Sequence, residues 1–373
     1  MKYKELSLRK RLALEIQRKI QHHLVAEHPL YQLFWECTLR CNLRCRHCGS
    51  DCKTETGHPD MPLEDFLRVL DSIAKRTDPA QVFVIITGGE PLMRRDIVDC
   101  CREIDRRGFP WGMVTNGLAV TPELFASLVA AGMRAMTISL DGLANNHNWM
   151  RGNDASFSRV ERAIDLLASE KNVVWDIVTC ATEHNFDELP ALRDFLISKG
   201  VPSWRLLDVF PVGRAASQPE LLLSDGHLRQ LMQFIAETRR QGLIDCAYGC
   251  EGFVGNYEMD VRDRSFFCKA GITVGSVLVD GSISACSSIR ADYHQGNIYE
   301  DDFMDVWENR FQLYRDRSWM KRDGCADCNM FRYCNGSGMH LRDGEGRLLQ
   351  CHLERLMGQG RRPQTDVEDK QKG

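Results

Sequence analysis

The chain has 373 residues, 16 of them cysteine, with 48 Lys+Arg against 52 Asp+Glu and a formal net charge of -4. That balance leaves no basic excess for a nucleic-acid surface, and the length has room for about two domains of roughly 150 residues each. So many cysteines in a chain much longer than a secreted disulfide scaffold point to metal or redox chemistry in a reducing, cytoplasmic compartment.

Residues 1–30 hold Lys2, Lys4, Arg9, Lys10, Arg11, Arg18 and Lys19, with Leu6, Leu8, Leu12, Leu14, Ile16 and Ile20 among them. No apolar run here or later reaches spanning length, so no membrane insertion is expected. The pattern predicts a basic amphipathic helix, packed across the bottom of the domain that follows, with contact to a membrane surface or a partner as the alternative. With about thirty residues before the first strand, a separate N-terminal peptide-recognition domain, which takes roughly 50 or more, is not expected.

From 31 to 241, short strand-like runs at 33–37, 82–86, 111–115, 135–139, 173–179 and 204–209 alternate with helical periods. The second run, Val82 to Ile86, is continuously apolar, as a parallel strand buried on both faces should be. Leu63, Phe66, Leu67, Leu70, Ile73 and Ala74 keep a helical period, and Thr121-Pro122 reads as an N-cap followed by a first-turn proline. This alternation implies a parallel sheet with helical crossovers. Polar and glycine-rich motifs follow the strands, at the rim where barrel enzymes build active sites.

After the first of these strands comes Cys41-x3-Cys45-x2-Cys48. Three thiolates in so short a loop can hold three irons of one iron-sulfur cube and leave the fourth without a protein ligand. Cys37 makes a second Cys-x3-Cys spacing with Cys41, but only Cys41, Cys45 and Cys48 carry both gaps. A zinc site completed by Cys37 or Cys52 is the competing assignment. Beyond 242 the long helices stop, cysteines become dense, and 272–284 reads as a hairpin turning at Asp280-Gly281. Cys268 and Cys286 are followed by Cys325-x2-Cys328-x5-Cys334 and Cys351, for which a four-cysteine zinc site is again the alternative. The polar tail 358–373 reads as disordered.

The cysteine loop, Thr87-Gly88-Gly89-Glu90-Pro91 and Ser139-Leu140-Asp141-Gly142 together resemble the radical S-adenosylmethionine (radical SAM) family. The spacing of Cys268, Gly281 and Cys286, with the later cysteines, is similar to the SPASM domain of its peptide and protein maturases. The resemblance implies an α/β fold, a partial (β/α)6 TIM-like barrel over 31–241 with a small C-terminal cysteine-rich SPASM domain over 242–357. It makes Cys41, Cys45 and Cys48 the ligands of a 4Fe-4S cluster whose open iron binds S-adenosylmethionine. Gly88, Gly89, Glu90 and Pro91 would present backbone and carboxylate groups to the methionine amino group, and Asn116, Ser139 and Asp141 would lie near the ribose. The segment from His147 to Gly152 resembles the one whose arginine pairs with the methionine carboxylate, a role that falls to Arg151. His47 stands where the family often has an aromatic residue.

In the cysteine-rich part the resemblance implies one or two auxiliary iron-sulfur clusters. Cys325, Cys328, Cys334 and Cys351 make a complete set for one. Gly338 occupies a position where the family has a cysteine, so Cys268 and Cys286 lack a partner; Cys250 is the first choice for it and Cys246 the second. The family's chemistry is abstraction of a hydrogen atom by a 5′-deoxyadenosyl radical, with a reducing donor such as ferredoxin or flavodoxin. The substrate expected is a ribosomally made peptide. Tetrapyrrole-like small-molecule modification is the alternative, and a non-catalytic iron-sulfur carrier or scaffold a third. The acid-base residue is not legible; Asp208, Arg214 and Tyr257 are the candidates.

Overall fold

The computed structural model describes residues 6–249 and 252–357, so Cys250 and the tail 358–373 lie outside the described residues. Helix α1 (Leu8–Glu27), capped by the Ser7 hydroxyl, leads to strand β1 (Gln32–Glu36). The other expected strands follow as β2 (Phe83–Thr87), β3 (Trp111–Thr115), β4 (Met133–Ser139), β5 (Val174–Ala181) and β6 (Ser203–Asp208). Between them cross α2 (Leu63–Ala74), α3 (Ile97–Arg106), α4 (Pro122–Ala130), the pair α5 (Ala144–Arg151) and α6 (Ser156–Ser169), and α7 (Leu189–Ser198). Thr121 caps α4 as its sequence predicts, accepting the Leu124 N–H with Pro122 in the first turn.

A seventh parallel strand, β7 (Asp245–Tyr248), follows α8 (Asp225–Gln241) and pairs with β6. Its sequence, Asp-Cys-Ala-Tyr, is neither an apolar run nor a clean alternation, so it carries no strand signal of its own. On the other side of β1 the predicted hairpin is present, as β8 (Val274–Val277) and β9 (Ser282–Ser284), followed by β10 (Gly296–Asn297). β8 runs parallel to β1, while β9 and β10 continue antiparallel. Among the described residues the ten strands therefore form one sheet in the order β10-β9-β8-β1-β2-β3-β4-β5-β6-β7. Helices α9 (Phe303–Asn309), α10 (Gln312–Arg315), α11 (Phe331–Cys334) and α12 (His352–Leu356) complete the cysteine-rich part.

The strand that delivers the first cysteine loop is thus interior to the sheet, with parallel neighbours on both edges. Its register is fixed by packing. Trp35 lies flat on Phe66 of α2, ring centroids 4.2 Å apart, and its indole N–H points to Met61 Sδ at 3.3 Å. Helix α1 is held by side-chain contacts to residues beyond β7. Gln17 accepts the Ser265 N–H at 2.9 Å, Lys10 pairs with Asp260, and Glu15 accepts from the Tyr333 hydroxyl at 2.8 Å. These polar contacts fasten it to the cysteine-rich part.

Because Trp35 and Phe66 are fully buried between β1 and α2, Phe66→Ala should cost about 3–5 kcal/mol. The measurement is the denaturant midpoint, which should fall well below that of the wild-type chain.

Candidate functional site

The first site is built where the end of β2 meets the loop after β1. Cys37 N–H donates to Thr87 O at 3.0 Å, Gly89 N–H to Thr38 O at 2.8 Å and Glu90 N–H to Arg40 O at 2.9 Å. Gly88 has φ +145, and a Cβ on it would run into the Thr38 carbonyl; one on Gly89 would run into those of Leu39 and Arg40. Only glycines let the two backbones lie this close. Glu90 turns inward. Its carboxylate is wholly buried, accepting from Thr115 Oγ1 at 2.8 Å, Asn116 N–H at 2.7 Å and Leu92 N–H at 3.1 Å. The side chain expected to face a methionine amino group instead joins β2 to β3.

Cys41 and Cys45 are buried and Cys48 half-buried, in one cluster with Leu43 and Cys52. Burial pushes Cys41 up to about 12 and raises Cys45 as well. Cys48 is held below the usual thiol range, first by a hydrogen bond from the Cys52 thiol and further by Arg214 and backbone N–H groups. Buried thiols are costly to ionise alone, and a metal centre held by them would supply the positive charge that stabilises three thiolates here. Asn116 Nδ2 lies 3.9 Å from Cys41 Sγ and donates to Asn42 Oδ1 at 2.8 Å, so this side chain lies against the cysteine loop. Ser139 ends β4 half-buried.

Arg214, a candidate for proton transfer by sequence, has a different position. Its Nε donates to Cys45 O at 2.7 Å and its Nη1 to Cys52 O at 3.0 Å and Asp51 at 2.7 Å, while its backbone N–H donates to Cys48 O at 2.9 Å. It clamps the loop from the β6 rim. Asp208 is likewise occupied, accepting from Arg355 at 2.8 Å and Gln350 at 2.6 Å, so that it ties β6 to α12. Tyr257 sits in a short 3-10 turn over Gly255–Tyr257.

Beside the loop is a buried charge cluster. Arg151, the last residue of α5, places Nε 2.8 Å from Asp141 Oδ2 and Nη1 3.6 Å from Cys45 Sγ. Burial opposes ionisation of Asp141, but Arg151, His47 and His147 outweigh it and lower its pKa. His47 Nε2 is 3.8 Å from the same oxygen. His47, Asp141 and Cys180 converge closely enough to suggest a metal site, yet the guanidinium already supplies the positive charge. Asp141 N–H donates to His147 Nδ1 at 3.0 Å, and His147 Nε2 meets Ser156 Oγ at 2.9 Å. Burial, then Arg151, depresses the His147 imidazole to about 3.

In the cysteine-rich part Cys325, Cys328, Cys334 and Cys351 line one apolar hollow, with Phe331, Leu348 and Leu353 in its wall. Those four could hold an iron-sulfur cluster. Cys268 is buried, but Arg317, the N–H groups of Met339 and Ala270, and His340 overcome the burial and lower its pKa. Cys286 lies near enough to feel Cys268, and burial raises it. Cys246, in β7, is pushed up to about 12 by burial, and its charged neighbours are Arg239, Asp245 and Arg193. His340, two residues past Gly338, was not singled out by sequence. It lies at Cys268 and against Phe210, ring centroids 4.9 Å apart.

A cavity of about 210 Å³ separates the two cysteine regions. Its wall includes Gly49, Ser50 and Gly88 on one side, Ser287, Ser288 and Arg290 on the other, with Glu36 and Phe210 between. Glu36, the last residue of β1, is buried and meets Arg290 Nη1 at 3.0 Å; Arg290 Nη2 also reaches Ser287 O. A carboxylate ending a buried strand next to Cys37 was the signal in the sequence that could have found this pair.

Two outcomes follow from these contacts. Arg214→Ala removes charge-assisted bonds to loop carbonyls that hold about 1.5–3 kcal/mol each; iron retained after anaerobic reconstitution and gel filtration should fall below half the wild-type value, with Arg214→Lys between the two. His147 takes a proton near pH 6.5 when unfolded and only near 3 when folded. The unfolded chain thus binds more protons between those values, and stability falls as pH drops through that window, by about 2 kcal/mol from pH 6.5 to 5. Urea midpoints across this range should show a shallower slope in His147→Gln.

A model of the radical SAM superfamily matches residues 35–196, and a model of the SPASM iron-sulfur cluster-binding domain matches residues 268–329. The AdoMet-dependent heme synthase of Oleidesulfovibrio alaskensis is 24% identical over 334 residues, covering 82% of this chain and 84% of its own. The mycofactocin maturase MftC of Mycolicibacterium smegmatis is 28% identical over 319 residues, covering 82% and 77%. The solved structure of native anSMEcpe with bound AdoMet and the Cp18Cys peptide shares the fold with a TM-score of 0.69 at 21% identity, covering 89% of this chain and 95% of that one. With the two models matched in order on this fold, the chain belongs to the radical SAM superfamily, as an enzyme that binds a 4Fe-4S cluster and S-adenosylmethionine and carries an iron-sulfur SPASM domain.

Proposed function

We propose that this enzyme modifies a peptide, one of whose side chains enters the cavity between the two cysteine regions. In this reading Cys41, Cys45 and Cys48 hold the 4Fe-4S cluster of S-adenosylmethionine chemistry, with Arg214 and Asn116 fixing their loop. Cys325, Cys328, Cys334 and Cys351 hold an auxiliary cluster. Bound there, the first cluster and S-adenosylmethionine supply a carbon radical that can take a hydrogen atom from an unreactive carbon. Backbone carbonyls of the segment from Gly88 to Pro91 receive the methionine amino group, the N–H groups of Gly89 and Glu90 being donated to the loop after β1. Arg151, neutralised by Asp141, keeps a second donor group on Cys45. A ferredoxin or flavodoxin provides the reducing electron.

The observation that carries the peptide reading is the place and charge of the cavity. The cavity opens to solvent beside Gly49, Gly88 and Ser287, so one side chain of a longer substrate can enter while the rest of the molecule stays outside. Glu36 and Arg290 give its wall a neutral pair of opposite charges that can orient a polar group, and Phe210 adds an apolar surface. Maturases among the relatives support the same substrate class. Tetrapyrrole modification is the second reading, favoured by Arg290 as a partner for a propionate and by similarity to a heme synthase.

Anaerobic co-expression with each short peptide encoded beside the gene should give a mass change, such as loss of a hydrogen pair. The change should vanish when Cys41, Cys45 and Cys48 are all alanine. An unchanged mass, with no exchange from heavy water, together with consumption of an iron porphyrin substrate, would move the assignment to the tetrapyrrole reading.

A further inference from the structure

Helix α1 is amphipathic with its faces reversed. Toward the protein it turns Lys10, Leu14, Gln17 and Gln21, with Leu24 and Val25 half-buried in its last turn, and Lys10 and Gln17 are held by Asp260 and Ser265. Toward solvent it turns Leu8, Leu12, Ile16 and Ile20, which are 70%, 58%, 64% and 56% exposed. An ordinary surface helix does the opposite, since burying the aliphatic stripe is what stabilises it. Four large aliphatics contiguous in one stripe differ from the scattered exposed apolar residues that any surface carries, and mark an interaction site.

The spacing and charge of the stripe identify what covers it. Residues at i, i+4, i+8 and i+12 form a single ridge, the shape that packs into the groove of another helix. Arg9 and Lys19 are exposed along this ridge, and the one exposed acidic residue on that side, Glu27, lies at the far end of the helix. A two-fold pairing of α1 with its copy would set cation against cation. A bilayer would require a broad apolar face, and here Arg9, Lys19 and His23 interrupt the arc.

We propose that the outer face of α1 is a docking surface for a partner polypeptide presenting an acidic amphipathic helix. Leu8, Leu12, Ile16 and Ile20 enter the groove of that helix, and Arg9 and Lys19 meet its carboxylates. The surface is distinct from the cavity and independent of what the cavity binds.

The test uses the full chain and a fluorescein-labelled synthetic helix of about 18 residues, leucine on one face and glutamate elsewhere, beside a lysine version of the same design. Anisotropy should show the glutamate peptide bound, with affinity falling as salt is raised. Leu12→Glu with Ile16→Glu should weaken it at least about tenfold. Both positions are exposed, so circular dichroism and thermal midpoint should stay unchanged. Lys19→Glu should weaken the glutamate peptide and strengthen the lysine one. Equal binding of both peptides, or none, overturns the proposal. So does a dimer in sedimentation, or co-sedimentation with phosphatidylserine vesicles, that the double variant abolishes.

Discussion

Three backbone hydrogen bonds, from Cys37 to Thr87, Gly89 to Thr38 and Glu90 to Arg40, join the loop after β1 to the end of β2, and the site depends on them. They consume the N–H groups that strand ends usually leave for solvent or ligand, and make the cysteine loop an extension of the sheet. A loop so attached loses little further entropy when it takes up a cluster. The glycines are required by this contact between two backbones, before any ligand is considered. Glu90 strengthens the contact by filling its carboxylate with donors from β3 and from its own turn, and Arg214 closes the loop from the opposite rim.

The charges around that loop are arranged in pairs. Arg151 satisfies Asp141 and still reaches Cys45, Arg214 satisfies Asp51 and still reaches two loop carbonyls, and Arg290 satisfies Glu36 while facing the cavity. A lone buried charge would be prohibitive. A paired arginine keeps spare donors in its fork, so each pair leaves a directed N–H at the site without a net charge. Sub-sites for anionic groups can then sit close to three thiolates without the repulsion or desolvation that unpaired groups would impose.

Much of this was legible in the sequence where spacing and chemistry coincide. The three cysteines, the double glycine and six strands with helical crossovers are local signals. The partners of the polar side chains were not legible. Glu90, Asn116, Asp141 and Arg151 lie at the expected rim, but Glu90 and Asp141 are taken up by internal hydrogen bonds and ion pairs, and Asn116 by the cysteine loop. A motif gives the position of a residue along the chain, whereas its partner is set by which strands become neighbours. β7 escaped for another reason: a four-residue strand takes its stability from Ser203–Leu206 beside it, and little from its own composition. His340 and Arg290 are joined to the first site only through the fold.

Helix α1 is the one element where sequence and structure disagree in sense. Its pattern says that Leu8, Leu12, Ile16 and Ile20 should be inside, and the structure holds them outside by giving the opposite face specific polar partners. Those partners are dispersed, one each from segments around Asp260, Ser265 and Tyr333, so rotating the helix to bury its aliphatics would break all of them together. Exposed aliphatic area is unfavourable at about 25 cal/mol for each Å² kept in water. Polar contacts of this kind contribute only about 0.5–1.5 kcal/mol each. The reversed face is therefore held at little net gain for the isolated chain, and becomes favourable when a second helix removes the stripe from water. The polar contacts fix the orientation and the stripe supplies the affinity, which is the division of labour expected of a preformed docking surface.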